Sequence, residues 1–354
     1  MRMRVISAVI AVLTGFQAPA LYAGAGSDGA AFLKVEAGAR AAAMGGAFTA
    51  VSDDVSSVFY NPAGPALVQN NEILLSHAEW LEGLRNEHAA YVHVLSARLT
   101  LFTGLTALII PALDEYDAAG VNTGKFSAMD GSAGAGLALA LGNDAYFGLF
   151  GKTVYQQADT RKAYAYAADL GFIRNYGETV RVGLAIQNFG TPIKLHLENF
   201  ELPRTYRAGG AYRLMRRAWL TAEIMQVGHS DLAVAAGGEG EYAITRRETV
   251  FVRAGYKTGR SKNAGPGVSA GVGIRSGDIG VDYAFSPCGD LGDTHRFTLG
   301  FRFGNDRGDI LTEQKVKRAS RVKPAPAAKT KPAREKTKGT GGTEKKDEPI
   351  YFLW

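Results

Sequence analysis

Apolar residues alternate with small or charged ones at a period of two, and the pattern returns fourteen times along one chain. Successive side chains of a strand point to opposite faces, so such a stretch has two chemically distinct sides. Tyr164, Tyr166, Ala168, Leu170 and Phe172 share one face; Ala165, Ala167, Asp169 and Gly171 share the other. Val180, Val182, Leu184 and Ile186 alternate with Arg181, Gly183, Ala185 and Gln187. Tyr206, Ala208, Gly210 and Tyr212 alternate with Arg207, Gly209, Ala211 and Arg213, and Phe297, Leu299, Phe301 and Phe303 with Thr298, Gly300 and Arg302. The fourteen segments lie near 72–79, 86–96, 98–109, 131–141, 144–154, 164–173, 178–187, 206–214, 217–226, 233–243, 248–257, 266–275, 277–285 and 295–303. Most have 9–11 residues, the length that a tilted strand needs to cross a bilayer. The pattern predicts an all-β fold: a 14-stranded antiparallel transmembrane β-barrel over 71–304, with an aromatic-rich lipid face and a lumen of small and charged residues.

The connections sort into two sets. Long gaps fall at about 80–85, 110–130, 155–163, 188–205, 227–232, 258–265 and 286–294, and short ones between them. Outer-membrane barrels have short periplasmic turns and longer outer loops, so the alternation puts both chain ends in the periplasm. Gly is abundant, at 44 of 354 residues. Gly148, Gly171, Gly183, Gly209, Gly255, Gly271, Gly273, Gly280 and Gly300 fall on the expected lumen face, where they leave room for a plug or let strands bend.

The chain opens on a targeting segment. Basic Met1–Arg4 precedes an apolar run from Val5 to about Leu21, then Ala18, Ala20, Ala23 and Ala25. This pattern predicts a secretory signal peptide over 1–23, cut after one of Ala20 to Ala25. No later stretch reaches 18 apolar residues, so no transmembrane helix is expected. Residues 24–70 are too irregular for strands and too apolar for a linker; they are expected to form a small N-terminal plug with short helical pieces.

The net charge of +6 belongs to the other end. Residues 305–354 hold 13 Lys/Arg and 7 Asp/Glu, and the remaining 304 residues balance at 27 of each. A neutral body gives no basic surface for nucleic acid. The tail is rich in Lys, Ala, Pro and Thr and is expected to be a disordered periplasmic segment. Its basic residues suit cell-wall polymer or lipid headgroups, and its terminal Ile350–Trp354 cluster suits a periplasmic protein.

The stretch Phe32–Ala66 resembles the N-terminal signature of the PorV/PorQ-type, UPF0164-like proteins of the FadL superfamily. The matching pieces are Gly38-Ala39-Arg40-Ala41, Met44-Gly45-Gly46-Ala47, Asp53-Asp54 and Asn61-Pro62-Ala63-Gly64, joined later by Val182–Gly190, Leu202-Pro203 and Arg207-Ala208-Gly209. Pro65, where that family has Leu, and the basic tail depart from its pattern. The resemblance implies a plugged fourteen-stranded barrel in the outer membrane of a diderm bacterium. It implies either passive passage of a hydrophobic, fatty-acid-like molecule through the lumen and a side opening, or a PorV-like role in type IX secretion with cargo proteins as partners. It makes Gly45, Gly46, Asn61, Pro62, Ala63 and Gly64 the plug motif with a ligand-gating role, and Asn61-Pro62-Ala63 the contact with the wall.

Chemistry for catalysis does not assemble, and no enzyme, cofactor or metal site is expected. Gly267–Gly271 fits the spacing of a nucleophile elbow, but that motif needs a strand-to-helix turn and here lies within an alternating strand. Gly131–Gly136 resembles a phosphate loop only in glycine count. The six His residues form no HExxH pair, and His88 and His93 fall on opposite strand faces. Ser269, Ser286 and His295 are the candidates for a barrel-wall hydrolase, with no spacing that singles them out. Asp114, Glu115 and Asp117 are expected in the longest outer loop, Asp290 and Asp293 in the last one, and Cys288 unpaired beside them. Arg181, Arg207, Arg213 and Arg253, with Arg275 and Arg302, are expected in the lumen. There they pair with Asp169, Glu178 or Asp282, or clamp a substrate carboxylate.

Overall fold

The computed structural model describes residues 28–79, 83–142, 144–195, 198–259, 265–304 and 306–309. The expected signal peptide, most of the expected tail and the Ile350–Trp354 cluster lie outside the described residues. Sixteen strands follow one another: β1 Asn71–Glu79, β2 Arg85–Val94, β3 Leu99–Tyr116, β4 Asn122–Ala140, β5 Ala145–Ala158, β6 Arg161–Tyr176, β7 Val180–Gly190 and β8 Ile193–Leu195. Then come β9 Glu198–Phe200, β10 Thr205–Met215, β11 Ala218–Val227, β12 Ala233–Ala243, β13 Glu248–Lys257, β14 Val268–Ser276, β15 Ile279–Pro287 and β16 Asp293–Phe303. β8 and β9 form a small hairpin of their own. The other fourteen close into one antiparallel barrel, β7 pairing with β10 and β1 with β16. In that closing seam Asn71 faces Phe303 and Glu79 faces His295.

Alternation decides which side faces out. Tyr164, Tyr166, Leu170, Leu184 and Ile186 are exposed on the barrel's outside, whereas Ala163, Ala165, Ala167 and Ala185 are buried within. Tyr166, Phe189, Tyr206 and Tyr256 ring the long-loop end, and Tyr176, Tyr212, Tyr242 and Phe303 the short-turn end. An apolar belt between two aromatic girdles is the surface of a barrel in lipid; on a water-soluble domain it would be an exposed patch far above the ordinary size.

Two expectations are corrected. The supposed loop 110–130 is mostly strand: β3 and β4 run 18 and 19 residues and stay paired out to Tyr116 and Asn122. Asp114 and Glu115 therefore sit on β3, with Asp114 opposite Lys125, and only Asp117 belongs to the turn. Likewise β5 and β6 pair as far as Ala158 and Arg161. Beyond the bilayer both faces of a hairpin meet water, so the apolar alternation that marks a strand in lipid fades there while the ladder continues. The second correction concerns the tail. Asp306–Asp309 stay with the barrel body, where Arg307 is buried under its short-turn end.

Residues 28–70 fill the lumen. The chain starts at the long-loop end, where Gly29 N donates to Glu201 O at 2.9 Å and Phe32 packs against Val154, Ala163 and Ile193. Helix α1, Ala39–Ala43, lies against β13–β16. A 3-10 turn over Val55–Phe59 follows, capped by the Asp54 carboxylate, which accepts from Ser56 N. A second one, Gly64–Leu67, carries Pro at its start, where the missing N–H costs nothing. The plug leaves at the short-turn end and enters β1 there.

Candidate functional site: the plug, its seam and the wall beside it

The plug meets the wall where the wall has no side chains. A β-carbon on Gly148 would fall on the Pro62 carbonyl, one on Gly171 on Asn61 Oδ1, one on Gly183 on Thr49 O, and one on Gly255 on Gly45 N. Gly237 and Gly271 stand in the same way against Met44 and Ala43. Gly280 and Gly300 are not part of this belt, since an added β-carbon there meets nothing closer than 3.9 Å. Glycines in strands usually weaken them; here they let two backbones approach.

The motif residues occupy that seam. Gly45 and Gly46 take φ of 66° and 76°, a left-handed conformation that L side chains resist. Gly45 N donates to Ser269 Oγ at 3.1 Å, and that hydroxyl donates to Ala43 O, so Ser269 serves the plug. Asn61 is fully buried. Its Nδ2 donates to Thr49 O at 2.9 Å and to Phe172 O in the wall at 3.2 Å, and its Oδ1 accepts from Ala63 N. Pro62 and Ala63 lie against Gly148 and Gly171, and Gly64 packs on Ser52 and Ser57.

Ion pairs hold the plug from the side. Arg40 reaches Asp53 and Asp54 at 2.8 Å and Glu239 of the wall at 2.7 Å. Glu239 also accepts from Arg253, which reaches Asp282 at 2.6 Å. Burial alone would raise the Asp54 carboxyl, but the Arg40 guanidinium and the Ser56 hydrogen bonds hold it below the ordinary carboxylate range. Glu223 accepts from Phe48 N, Thr49 N and Arg207. Arg181 reaches Val51 O and Asp53, and Arg302 pairs with Glu72.

The predicted lumen arginines thus face inward, and Arg181, Arg207, Arg253 and Arg302 serve structure. Of the expected partners only Asp282 is taken by an arginine; Asp169 pairs with Lys152 and Glu178 is exposed. Among the described residues Arg213 and Arg275 pair with no acid, but stack on Trp219 and Phe251 at 4.5 and 5.0 Å.

The arginine that sequence reasoning missed is Arg296. It is 4% exposed, and among the described residues it forms no ion pair and leaves Nε without an acceptor. Its neighbour across β1 is Ala78, and the next residue in that row is Asn86 on β2. Asn86 is fully buried, and neither its Oδ1 nor its Nδ2 has a partner. One step along β2, buried His88 uses Nδ1 toward Thr106 Oγ1 at 3.1 Å, while Nε2 has none. Buried polar groups are nearly always satisfied, and an uncompensated buried charge is the costliest exception. All three side chains face the lumen, Arg296 from β16 and Asn86 and His88 from β2. The signal was legible in outline: Arg296 shares its parity with Thr298 and Arg302.

The wall here is thin. An internal cavity of about 60 Å³ lies between the plug and the wall from β2 round to β13, with Tyr60, His88, Thr106 and Ser132 among its lining. On the lipid side an open groove of about 780 Å³ crosses β15 to β5 at the same level. Ala89, Ala107, Gly131 and Ala133 floor it and Leu75, Leu105 and Phe297 rim it. His88, Thr106 and Ser132 border both. His77 and Glu87, 2.7 Å apart, stand on the groove's edge. The plug fills the lumen, and the large apolar groove lies outside the wall.

His295 pairs with Tyr283 on the outer face, and Ser286 Oγ is not within its contacts. Cys288 is buried. Among the described residues no group of three or more His, Cys, Asp or Glu side chains is placed to hold a metal ion.

Comparison with known proteins agrees with this geometry. Residues 22–119 match the model of an uncharacterised protein family, UPF0164. A UPF0164 protein of Treponema pallidum is 25% identical over 327 residues, covering 82% of this chain and 74% of that one. The chain has the fold of FadL-type outer-membrane barrels. It resembles the toluene transporter TbuX of Ralstonia pickettii with a TM-score of 0.57 at 13% identity, covering 76% of this chain and 98% of that one. It resembles the toluene transporter TodX of Pseudomonas putida with a TM-score of 0.54 at 11% identity, over 76% and 99%. For a FadL homologue of Pseudomonas aeruginosa the values are 0.50 and 10%, over 75% and 98%.

Proposed function

We infer that this protein is a non-enzymatic outer-membrane channel that passes an apolar molecule with an acidic head, of fatty-acid type, between the outside and the lipid or periplasm. The observation that carries this reading is Arg296, a buried guanidinium without an acid, beside Asn86 and His88. A carboxylate supplies the missing charge, and a planar carboxylate suits guanidinium geometry. The apolar chain then lies toward the thin wall at His88, Thr106 and Ser132 and leaves along the outer groove. The small groove-floor side chains leave width for a chain, and no covalent step is needed. With the lumen cavity at only about 60 Å³, passage requires the plug to shift. Two of the named structural relatives are toluene transporters, and toluene is a neutral hydrocarbon; the uncompensated guanidinium is what favours an acid here. The secretion reading rests on the sequence resemblance alone, carried by residues 32–66 with the later matches at 182–190, 202–203 and 207–209.

The test is binding of a fluorescent long-chain fatty acid, and of the matching neutral alcohol, to the full chain in detergent. Arg296→Gln is expected to weaken the acid about tenfold, as loss of a charged hydrogen bond should, and to leave the alcohol unchanged. Wild-type protein that takes neither probe, or an Arg296→Gln variant that binds the acid as wild type does, overturns the reading.

A further inference from the structure

Two neighbouring hairpin turns at the short-turn end carry four arginines. Arg216 and Arg217 join β10 to β11, and Arg246 and Arg247 close the turn from β12 to β13. All four are exposed, and among the described residues none forms an ion pair. The turns are tied together, since Glu241 N on β12 donates to Arg217 O at 2.8 Å. The second turn is also pinned: Thr245 Oγ1 accepts from Arg247 N and Glu248 N. The acids close by are otherwise placed. Glu241 points toward the lumen, Glu248 accepts from Thr245, and Glu178 and Asp278 stand on the flanking turns.

Directly above these arginines the lipid-facing belt ends in Leu214, Met215, Leu220, Tyr242 and Ile244, all exposed. Guanidinium groups at the foot of an apolar belt stand at headgroup depth. Arg also matches phosphate oxygens two at a time. We propose that these two turns form a binding site for an anionic phospholipid of the inner leaflet, its phosphate held by Arg216, Arg217, Arg246 and Arg247 and its acyl chains along Leu214, Tyr242 and Ile244. A lipid with two phosphates on one headgroup spans both turns. The site rests on the outer-membrane placement above, but on neither the channel role nor Arg296.

The experiment reconstitutes the full chain in nanodiscs of phosphatidylethanolamine with about one-tenth cardiolipin and counts retained lipid by native mass spectrometry. Wild type is expected to keep cardiolipin, and the Arg216→Gln, Arg217→Gln, Arg246→Gln, Arg247→Gln variant to lose about fivefold or more of that preference, with the loss reproduced in wild type by high salt. The variants Arg98→Gln, on another short turn, and Arg174→Gln, near the end of β6, are expected to behave as wild type. Should the fourfold variant not insert, the two pairs are read separately, each with a partial loss expected. Equal retention by wild type and variants overturns the proposal. So does a site that takes inorganic phosphate in place of the lipid, or a loss seen equally with Arg98→Gln. Failure of wild type to enter any nanodisc would instead strike the outer-membrane placement itself.

Discussion

The Pro62 carbonyl occupies the place where a β-carbon on Gly148 would lie, so plug and wall meet there backbone to backbone. Gly171, Gly183 and Gly255 repeat the arrangement against Asn61, Thr49 and Gly45. The glycine belt is thus a seat shaped for the main chain of residues 44–63. Asn61 adds specific side-chain bonds across the seam, donating to Thr49 O and to Phe172 O of the wall.

Gly148→Ala should therefore displace the plug. The added methyl meets backbone atoms that no rotamer change can move, and overpacking of this kind costs about 1–3 kcal/mol. Gly280→Ala and Gly300→Ala, where the new atom has open space, should stay within about 0.5 kcal/mol of wild type. Thermal unfolding in detergent separates the two groups. Equal stability of all three variants would mean that the seam is not a stabilising contact.

Arg40 holds three carboxylates, those of Asp53, Asp54 and Glu239. Removing one partner of a buried ion network leaves the others uncompensated, at a cost of about 3–5 kcal/mol. Asp53 keeps Arg181 and Glu239 keeps Arg253, so the loss falls mainly on Asp54. Arg40→Gln is expected to loosen the plug and raise single-channel conductance in planar bilayers. A variant as silent as wild type would show that the glycine seam alone retains the plug.

The same cluster makes plug retention depend on acid. Asp54 ionises below its ordinary value of 3.8 in the folded protein, because Arg40 and Ser56 outweigh its burial. A carboxyl with a depressed folded pKa contributes stability that is full above its unfolded pKa and is lost as pH falls through the folded value. The plug should hold at neutral pH and be released only below pH 3.8. Conductance recorded from pH 7 downward checks the direction, and the acid step should be absent from Arg40→Gln. Release already near pH 6 would assign the control to another group.

How much of this was legible in the sequence depended on what each residue touches. β12 and β13 follow from alternation alone, because their whole length crosses lipid on one side and lumen on the other. The far halves of β3 and β4 look like loop in sequence because around Asp114 and Lys125 both faces are wet, which erases the period while the ladder continues. Local sequence marks helix-like or turn-like plug pieces at Ala39–Met44 and Asp53–Tyr60, where the structure has Ala39–Ala43 and Val55–Phe59. Their seating on Gly148, Gly171 and Gly255 is not marked, because it joins residues far apart in the chain. Arg296 and the other inward arginines look alike in sequence. Only the packed barrel shows that Arg253 and Arg207 have acids while Arg296 has none.

Arg307 closes the short-turn end. Its Nε and Nη2 donate to Val68 O at 3.1 and 2.9 Å, and its remaining donors reach Ala97 O and Thr100 Oγ1. The first residues after the last strand thereby clamp the point where the plug leaves the lumen. Arg307→Ala strips partners from the Val68 carbonyl and the Thr100 hydroxyl, a loss of about 1–3 kcal/mol if both stay buried. Arg307→Lys should not restore it, since an ammonium cannot span both carbonyls and the hydroxyl as the planar fork does. Limited proteolysis between Leu67 and Asn71 is expected to speed up in both variants. Truncation after Asp309 should leave cleavage at the wild-type rate, whereas truncation after Gly304 should match Arg307→Ala. Equal protection in all of these proteins would show that the clamp does not control the plug's exit.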